Sequence, residues 1–192
     1  MKPVLVTLSM LSPNFTPFPI LTTERLVLRR FTRDDAADLF EMRSSEEVMQ
    51  YIARPLCKTV DDAVALIDVI DNLLQSNDGI TWCICLKNSD KYIGSIGFWR
   101  IEKGNHRAEI GYLLNPAYQG SGLMQEAIEV VIDYGFKIIG LHSIQANVQP
   151  KNVASINLLL KNNFVQEAYF KEDHLHKGSF ADTVIFSLLT QT

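Results

Sequence analysis

Hydrophobic positions along this chain switch between a period of two and a period near 3.6, and the switches mark its elements. In RLVLRRF (25–31), Leu26, Leu28 and Arg30 alternate with Val27, Arg29 and Phe31, which predicts a strand with one face more apolar than the other. TRDDAADLFEMRSS (32–45) opens on a Thr cap with acidic residues in its first turn, then spaces Ala36, Leu39, Phe40 and Arg43 as a helix does. A second helix is predicted from Val60 to about Gln75, capped by Thr59, with Ala63, Leu66, Ile67, Ile70 and Leu74 on one face. Strands follow at 80–87, 91–101 and 107–114, and the short polar links NSD and EKGNH between them suit antiparallel hairpins. A glycine-bearing turn leads into a helix reaching about Ile139. After it come a strand at 142–148, a helix at 152–162 and closing strands near 165–173 and 180–189. The order β-α-α-β-β-β-α-β-α-β-β describes an α+β domain on a mixed, mostly antiparallel sheet of six to seven strands, flanked by about four helices. Trp82 and Trp99, on adjacent strands, are expected in the core.

The N-terminal VLVTLSML (4–11) is an apolar run behind a single Lys, too short and too weakly basic for a secretory signal, and the proline-rich SPNFTPFP after it is expected to be extended. Residues 1–20 read as an extension, with Met10 as an alternative start, and residues 21–192 as one domain large enough for a core of its own. No apolar stretch reaches 18 residues, so no membrane span is expected. Net charge is −4 and the basic residues are scattered, which argues against direct contact with nucleic acid. Cys57, Cys83 and Cys85 are odd in number and lack metal spacing, so they are expected to be free thiols in a reducing cytoplasm, with no metal held.

The turn carries the first chemistry. AEIGYLL ends at Asn115-Pro116, and Gln119-Gly120-Ser121-Gly122 then opens LMQEAIEVVIDYGFKII, in which Gln125, Glu129, Asp133 and Lys137 recur opposite Met124, Ile128, Val131 and Ile132. An amphipathic helix starting on such a turn aims unpaired backbone N–H groups outward, with the positive end of its dipole behind them. Phosphate suits that field best, and glycine at 120 and 122 lets it approach the backbone. A plain strand-to-helix turn fits the same residues. The loop GxxxxGK[ST] is absent, and the dinucleotide pattern GxGxxG fails at Gln125.

AEIGYLLNPAYQGSGLMQEAIEVVIDYGF resembles the acetyl-CoA-binding motif of the GCN5-related N-acetyltransferases, in which Q/R-x-x-G-x-G/A starts the helix that receives the CoA pyrophosphate. Gln119, Gly120 and Gly122 fit, and Met124 stands where that pattern has its last small residue. NVQPKNVASINLLLKNNF is similar to the family's N-x-x-A/S-x-x-L-x-x-K-x-G-F stretch through Asn152, Ser155, Leu158, Lys161 and Phe164, with Asn163 replacing glycine at a left-handed helix end. LTTERLVLRRFTRDDAADLFEM is similar to the opening of the branch that acetylates ribosomal-protein N-termini, the RimJ/RimL type. The resemblance covers residues 21–190.

This resemblance implies the acyl-CoA N-acyltransferase fold, with acetyl-CoA as co-substrate held by Gln119, Gly120, Ser121, Gly122, Leu123 and Met124. It implies that pantetheine inserts beside Leu113 and Leu114, where a backbone N–H meets the oxyanion, and that Asn152 contacts pantetheine while Ser155 sits near the sulfur. Asn152 also reads as a helix N-cap, worth about 1 kcal/mol without any ligand. Many members place a tyrosine four residues after the A/S position to protonate the leaving thiolate; here that residue is Leu159.

In such a reaction only a neutral amine attacks. About a tenth of α-amines are neutral at pH 7, given a pKa near 7.7–8.0, against well under a thousandth of lysines. Glu109, just before IGY, is the carboxylate expected to act as base, directly or through water. His106, His142, His174 and His176 are also candidate bases, but read as surface or loop histidines without an acidic partner evident from spacing. The first helices and FKEDHLHKGSFAD (170–182), read as a loop, are expected to form the acceptor side, with Asp173 and Asp182 contacting a cationic amine. The acceptor expected first is a protein N-terminus, for a monomer or homodimer. A small-molecule amine, or a non-catalytic CoA-binding module, are the other readings.

Overall fold

A computed structural model describes residues 9–190. Its strands are β1 (Leu21–Thr22), β2 (Leu26–Arg29), β3 (Ile80–Leu86), β4 (Tyr92–Glu102), β5 (Arg107–Leu114), β6 (Ser143–Val148), β7 (Val165–His176) and β8 (Ser179–Leu189). They form one sheet of 8 strands in the order β1-β2-β3-β4-β5-β6-β8-β7. Every neighbouring pair is antiparallel except β5 with β6. The strand beyond the expected count is β1, two residues long and paired only to β2, too short to carry a periodic signal.

The helices are α1 (Ala36–Ser44), α2 (Val60–Gln75), α3 (Leu123–Tyr134) and α4 (Val153–Lys161). Alternation along β3 sorts them: Ile80, Trp82 and Ile84 join the core under α3, while Cys83 and Cys85 face α1 and α2. α1 starts later than expected because Arg33–Asp35 form a tighter 3-10 turn, closed by a capping box between Thr32 and Asp35. Asp35, 4% exposed, takes both Arg29 Nη1 (2.8 Å) and Nη2 (2.7 Å), which ties this turn to β2. α3 gives way at Gly135 to a π turn ending at Ile139.

Three expectations are corrected. Stretch 170–182 is not a loop: β7 and β8 run on to a tight turn at Lys177-Gly178, both at positive φ. Trp82 is fully buried, but Trp99 is 38% exposed and lies outside the core. His174 does have an acidic neighbour, Asp173, whose Oδ1 lies 3.1 Å from Nδ1.

Residues 9–20 pack on the domain. Phe15 is 2% exposed, its N–H donates to Asn77 Oδ1 (3.1 Å), and the Trp82 indole donates to the Pro19 carbonyl (2.7 Å). The three cysteines are unpaired to one another by disulfide. Among the described residues no helix is long and apolar enough to cross a membrane, and no group of three or more His, Cys, Asp or Glu is placed to hold a metal.

Candidate active site

Strands β5 and β6 stay in register for only three pairs: Arg107 with Ser143, Ala108 with Ile144 and Glu109 with Gln145. Beyond Glu109 they part. β5 continues to Leu114 along β4, and β6 continues to Val148 along β8. A cavity of about 900 Å³ opens at this split, walled by both strands, α1, α2, the start of α4 and β7. Buried backbone polar groups need partners, so a split in a sheet is a place for a ligand with amide groups of its own.

Where β5 ends, the chain enters the glycine turn. Asn115 caps the next residues by accepting from Ala117 N–H (3.0 Å), and Gln119 Nε2 donates to the Leu114 carbonyl (3.1 Å), fixing the turn to the strand end. Gly120 (φ 72°) and Gly122 (φ 80°) are both left-handed, a conformation that side chains resist. A Cβ on Gly120 would meet nothing within 4 Å, so this flank of the turn is open to a ligand. Gly122 is the N-cap of α3. Leu123 is buried, and Met124, in the small-residue position, is partly buried against the main core. Ser121 Oγ is taken up by the Tyr118 carbonyl (2.6 Å). Arg25, not anticipated from sequence, donates through Nη1 to the Ser121 carbonyl (2.9 Å) and pairs with Glu126 on α3. It puts a half-exposed cation beside the turn, and nothing in the local pattern around residue 25 points across the 96 residues that separate the pair.

On the other lip of the split, Asn152 caps α4, its Oδ1 accepting from Ser155 N–H (3.2 Å). Asn163 has φ 63°, as expected for the glycine position it fills. Leu159 is buried in the core and does not line the cavity. Ser155 is 9% exposed, and its Oγ lies 2.7 Å from the Tyr112 hydroxyl of β5. Burial pushes the Tyr112 phenol up to about 12, with Ser155 pulling the other way, so it keeps its proton at neutral pH. The sequence places a tyrosine in AEIGYLL without any sign that it meets Ser155. Gln149 Nε2, in the same wall, is buried without a hydrogen-bond partner.

Glu109 sits where the strands part. It is half-buried; burial raises its pKa above the ordinary carboxylate value, while Arg100 and Arg107 pull it down and Asn147 Nδ2 donates to it (3.0 Å). Asp173, in the cavity wall, accepts from Thr183 Oγ1 (2.8 Å) and contacts His174. Asp182 lies elsewhere: it is half-buried on the β7–β8 hairpin, outside the cavity wall, engaged by the Tyr169 hydroxyl and by Glu172 N–H (2.8 Å). Trp99 lines the cavity with the Arg54 guanidinium over its ring at 5.3 Å, a cation–π contact at the entrance. Of the four histidines only His174 lines the cavity; His176 Nε2 is 2.8 Å from the Gln50 carbonyl, joining the hairpin to the α1–α2 connection.

Residues 25–165 match the family model described as an acetyltransferase (GNAT) domain. The chain is 36% identical over 172 residues to a Bacillus subtilis protein named uncharacterized N-acetyltransferase YoaA, covering 90% of this chain and 97% of that protein. It is 28% identical over 178 residues to the [ribosomal protein uS5]-alanine N-acetyltransferase of Escherichia coli, covering 88% and 90%. A crystal structure of a GNAT-family acetyltransferase from Bacillus anthracis matches with a TM-score of 0.79 at 29% identity, covering 89% of this chain and 98% of that one.

Proposed function

Because this chain belongs to the acetyltransferase (GNAT) family and has a ribosomal-protein N-acetyltransferase among its relatives, we propose that it moves the acetyl group of acetyl-CoA to a primary amine, a protein N-terminal α-amine in the first place, by direct attack with both substrates bound. The observation that carries this reading is the meeting, at Leu114–Gly122, of a split in the sheet with an open, left-handed glycine turn at a helix N-terminus. The residues present fit acetyl-CoA. The flank of Gly120 is clear, α3 offers N–H donors to a pyrophosphate, and the orphaned Gln149 amide suits a pantetheine carbonyl.

Gly120, Ser121, Gly122, Leu123 and Met124 bind through backbone N–H groups, with Arg25 adding charge, and Asn152 and Gln149 orient the pantetheine arm. Acetyl-CoA supplies an activated acetyl thioester. Glu109 accepts the amine's proton, directly or through a water, and Asp173 draws in the amine. A backbone N–H at Leu113 or Leu114 meets the charge that develops on the thioester oxygen. Ser155, held by Tyr112, gives its proton to the departing thiolate, the Tyr112 phenol passes its own to Ser155, and solvent water returns a proton to Tyr112, which restores the pair. A free small-molecule amine is the second reading, favoured by a relative named spermidine N(1)-acetyltransferase, from Vibrio cholerae, 23% identical over 159 residues.

The test is calorimetric titration of acetyl-CoA into wild type and Gly122→Trp, beside thiol release with N-terminal peptides, polyamines and amino sugars. Binding by wild type alone, with thiol released for one acceptor class, supports the reading. Binding with no release on any acceptor leaves a CoA-binding module in its place, and no binding at all overturns the site.

A further inference from the structure

Resting on that reading, the cavity wall says something about the acceptor. Arg43, on α1, points into the region between the cavity and the α1–α2 connection and has no salt bridge to any described carboxylate. Its Nε is buried with no hydrogen-bond partner, and Nη1 has only the Met49 sulfur at 3.6 Å, a weak acceptor. The charged and titratable groups that act on it are Tyr92, Arg54 and Cys57, none of them a carboxylate, and burial together with Arg54 disfavours its charge. Other buried cations in this fold are matched: Arg29, for comparison, has Asp35 on two nitrogens. Arg43 is only partly exposed, with its Nε closed off from water; a guanidinium partly withdrawn from water without an anion is unfavourable, and a planar fork of N–H donors is shaped for a carboxylate or a phosphate.

Arg54 connects this cation to the reaction centre. It stacks on Trp99, and its charge is felt both by Arg43 and by Glu109, the assigned base. A molecule whose amine lies at Glu109 thus meets Arg54 and then Arg43 in one cavity. We propose that Arg43 and Arg54 form an anion subsite on the acceptor side, so that the amine accepted by this enzyme carries a carboxylate or phosphate in the same molecule. Polycations such as spermidine are disfavoured by the same two charges.

The test uses matched acceptors that share one amine: a free amino acid and its amide, an Ala-Glu and an Ala-Gln peptide, an aminoalkyl phosphate and the parent amino alcohol. Thiol release is followed for wild type, Arg43→Met and Arg54→Gln, and acetyl-CoA binding is titrated in each. In wild type at least one anionic member is expected to exceed its neutral partner in kcat/KM by about 10- to 100-fold, the value of a charge-assisted hydrogen bond. The pair that does so identifies whether a free carboxylate, an acidic side chain or a phosphate is read. Arg43→Met should bring that ratio close to unity while its ligand-free melting temperature is unchanged or raised, since a partly buried charge without an anion has been replaced by an apolar chain. Arg54→Gln supplies the same comparison on an exposed residue that does not threaten folding. Equal rates within every pair, a preference for spermidine, or a ratio unchanged in both variants overturns the subsite and leaves acetyl transfer standing. Acetyl-CoA binding without thiol release on any acceptor overturns the transfer reading, and the subsite with it.

Discussion

Removing one oxygen at Tyr112 asks whether Ser155 works alone. Tyr112→Phe keeps the packing of β5 but takes away the group 2.7 Å from Ser155 Oγ. The expected result is a fall in kcat of about 10-fold with the KM for acetyl-CoA unchanged, against about 100-fold for Ser155→Ala, as thiol-release kinetics would show. Glu109 is tested by pH. Burial holds its pKa above the ordinary value, which is near 4.3. A base must be ionised, so kcat/KM rises with pH as this proton leaves, in a limb above the ordinary carboxylate range and below the acceptor amine's own limb near 8. Glu109→Gln should lose the lower limb, keep the upper one and run about 100-fold slower. Ser155, Glu109 and the two glycines could be singled out as candidates because each sits inside a short motif, and the structure sets them along the split and the turn that follows it. Tyr112, Arg25 and Arg43 were not, because their partners lie 43, 96 and, for the cavity around Arg43, many scattered residues away.

Elements were legible where one face is buried and obscure where it is not. Helix α2 and strand β3 match their expected spans within a residue, since the core selects their apolar positions. The distal half of β7 is largely exposed, so no alternation marks it, and turn-forming residues in FKEDHLHKGSFAD disguise a hairpin. The start of α1 was misread by one turn because a Thr cap serves a 3-10 turn as well as it serves an α-helix. That junction is also where an element-level prediction belongs. Asp35→Asn leaves Arg29 with its cation only partly compensated and should destabilise the fold by about 3 kcal/mol, seen as a lower urea midpoint at unchanged slope. Burial alone would raise the Asp35 pKa, but Arg29 and the Thr32 N–H outweigh it and hold the carboxyl below its ordinary value. A lowered folded-state pKa stabilises the fold above the unfolded value near 3.9, and that contribution disappears as pH falls through the folded value. In Asp35→Asn the acid loss of stability should therefore be shallower than in wild type.

For the molecule as a whole, the order of strands and helices followed from periodicity, and the GNAT fold from three motifs in sequence. What periodicity hid is how far the N-terminal extension belongs to the core. Phe15 comes from a proline-rich stretch with no pattern, yet it is 2% exposed and joins the cluster that contains Trp82. Phe15→Ala should cost about 3 kcal/mol and lower the melting temperature by roughly 6–12 °C, measurable by calorimetry, while leaving acetyl-CoA affinity intact. The split between β5 and β6 has a mechanical side as well. Five strands lie on one side of it and three on the other, and the two groups share only the rungs from Arg107–Ser143 to Glu109–Gln145. A ligand lying in the gap therefore serves as mortar, bridging two panels that the backbone joins along a short seam. On the proposed function, occupancy of the gap and stiffness of the sheet would be one event, so acetyl-CoA is expected to slow amide exchange along β5 and β6 together.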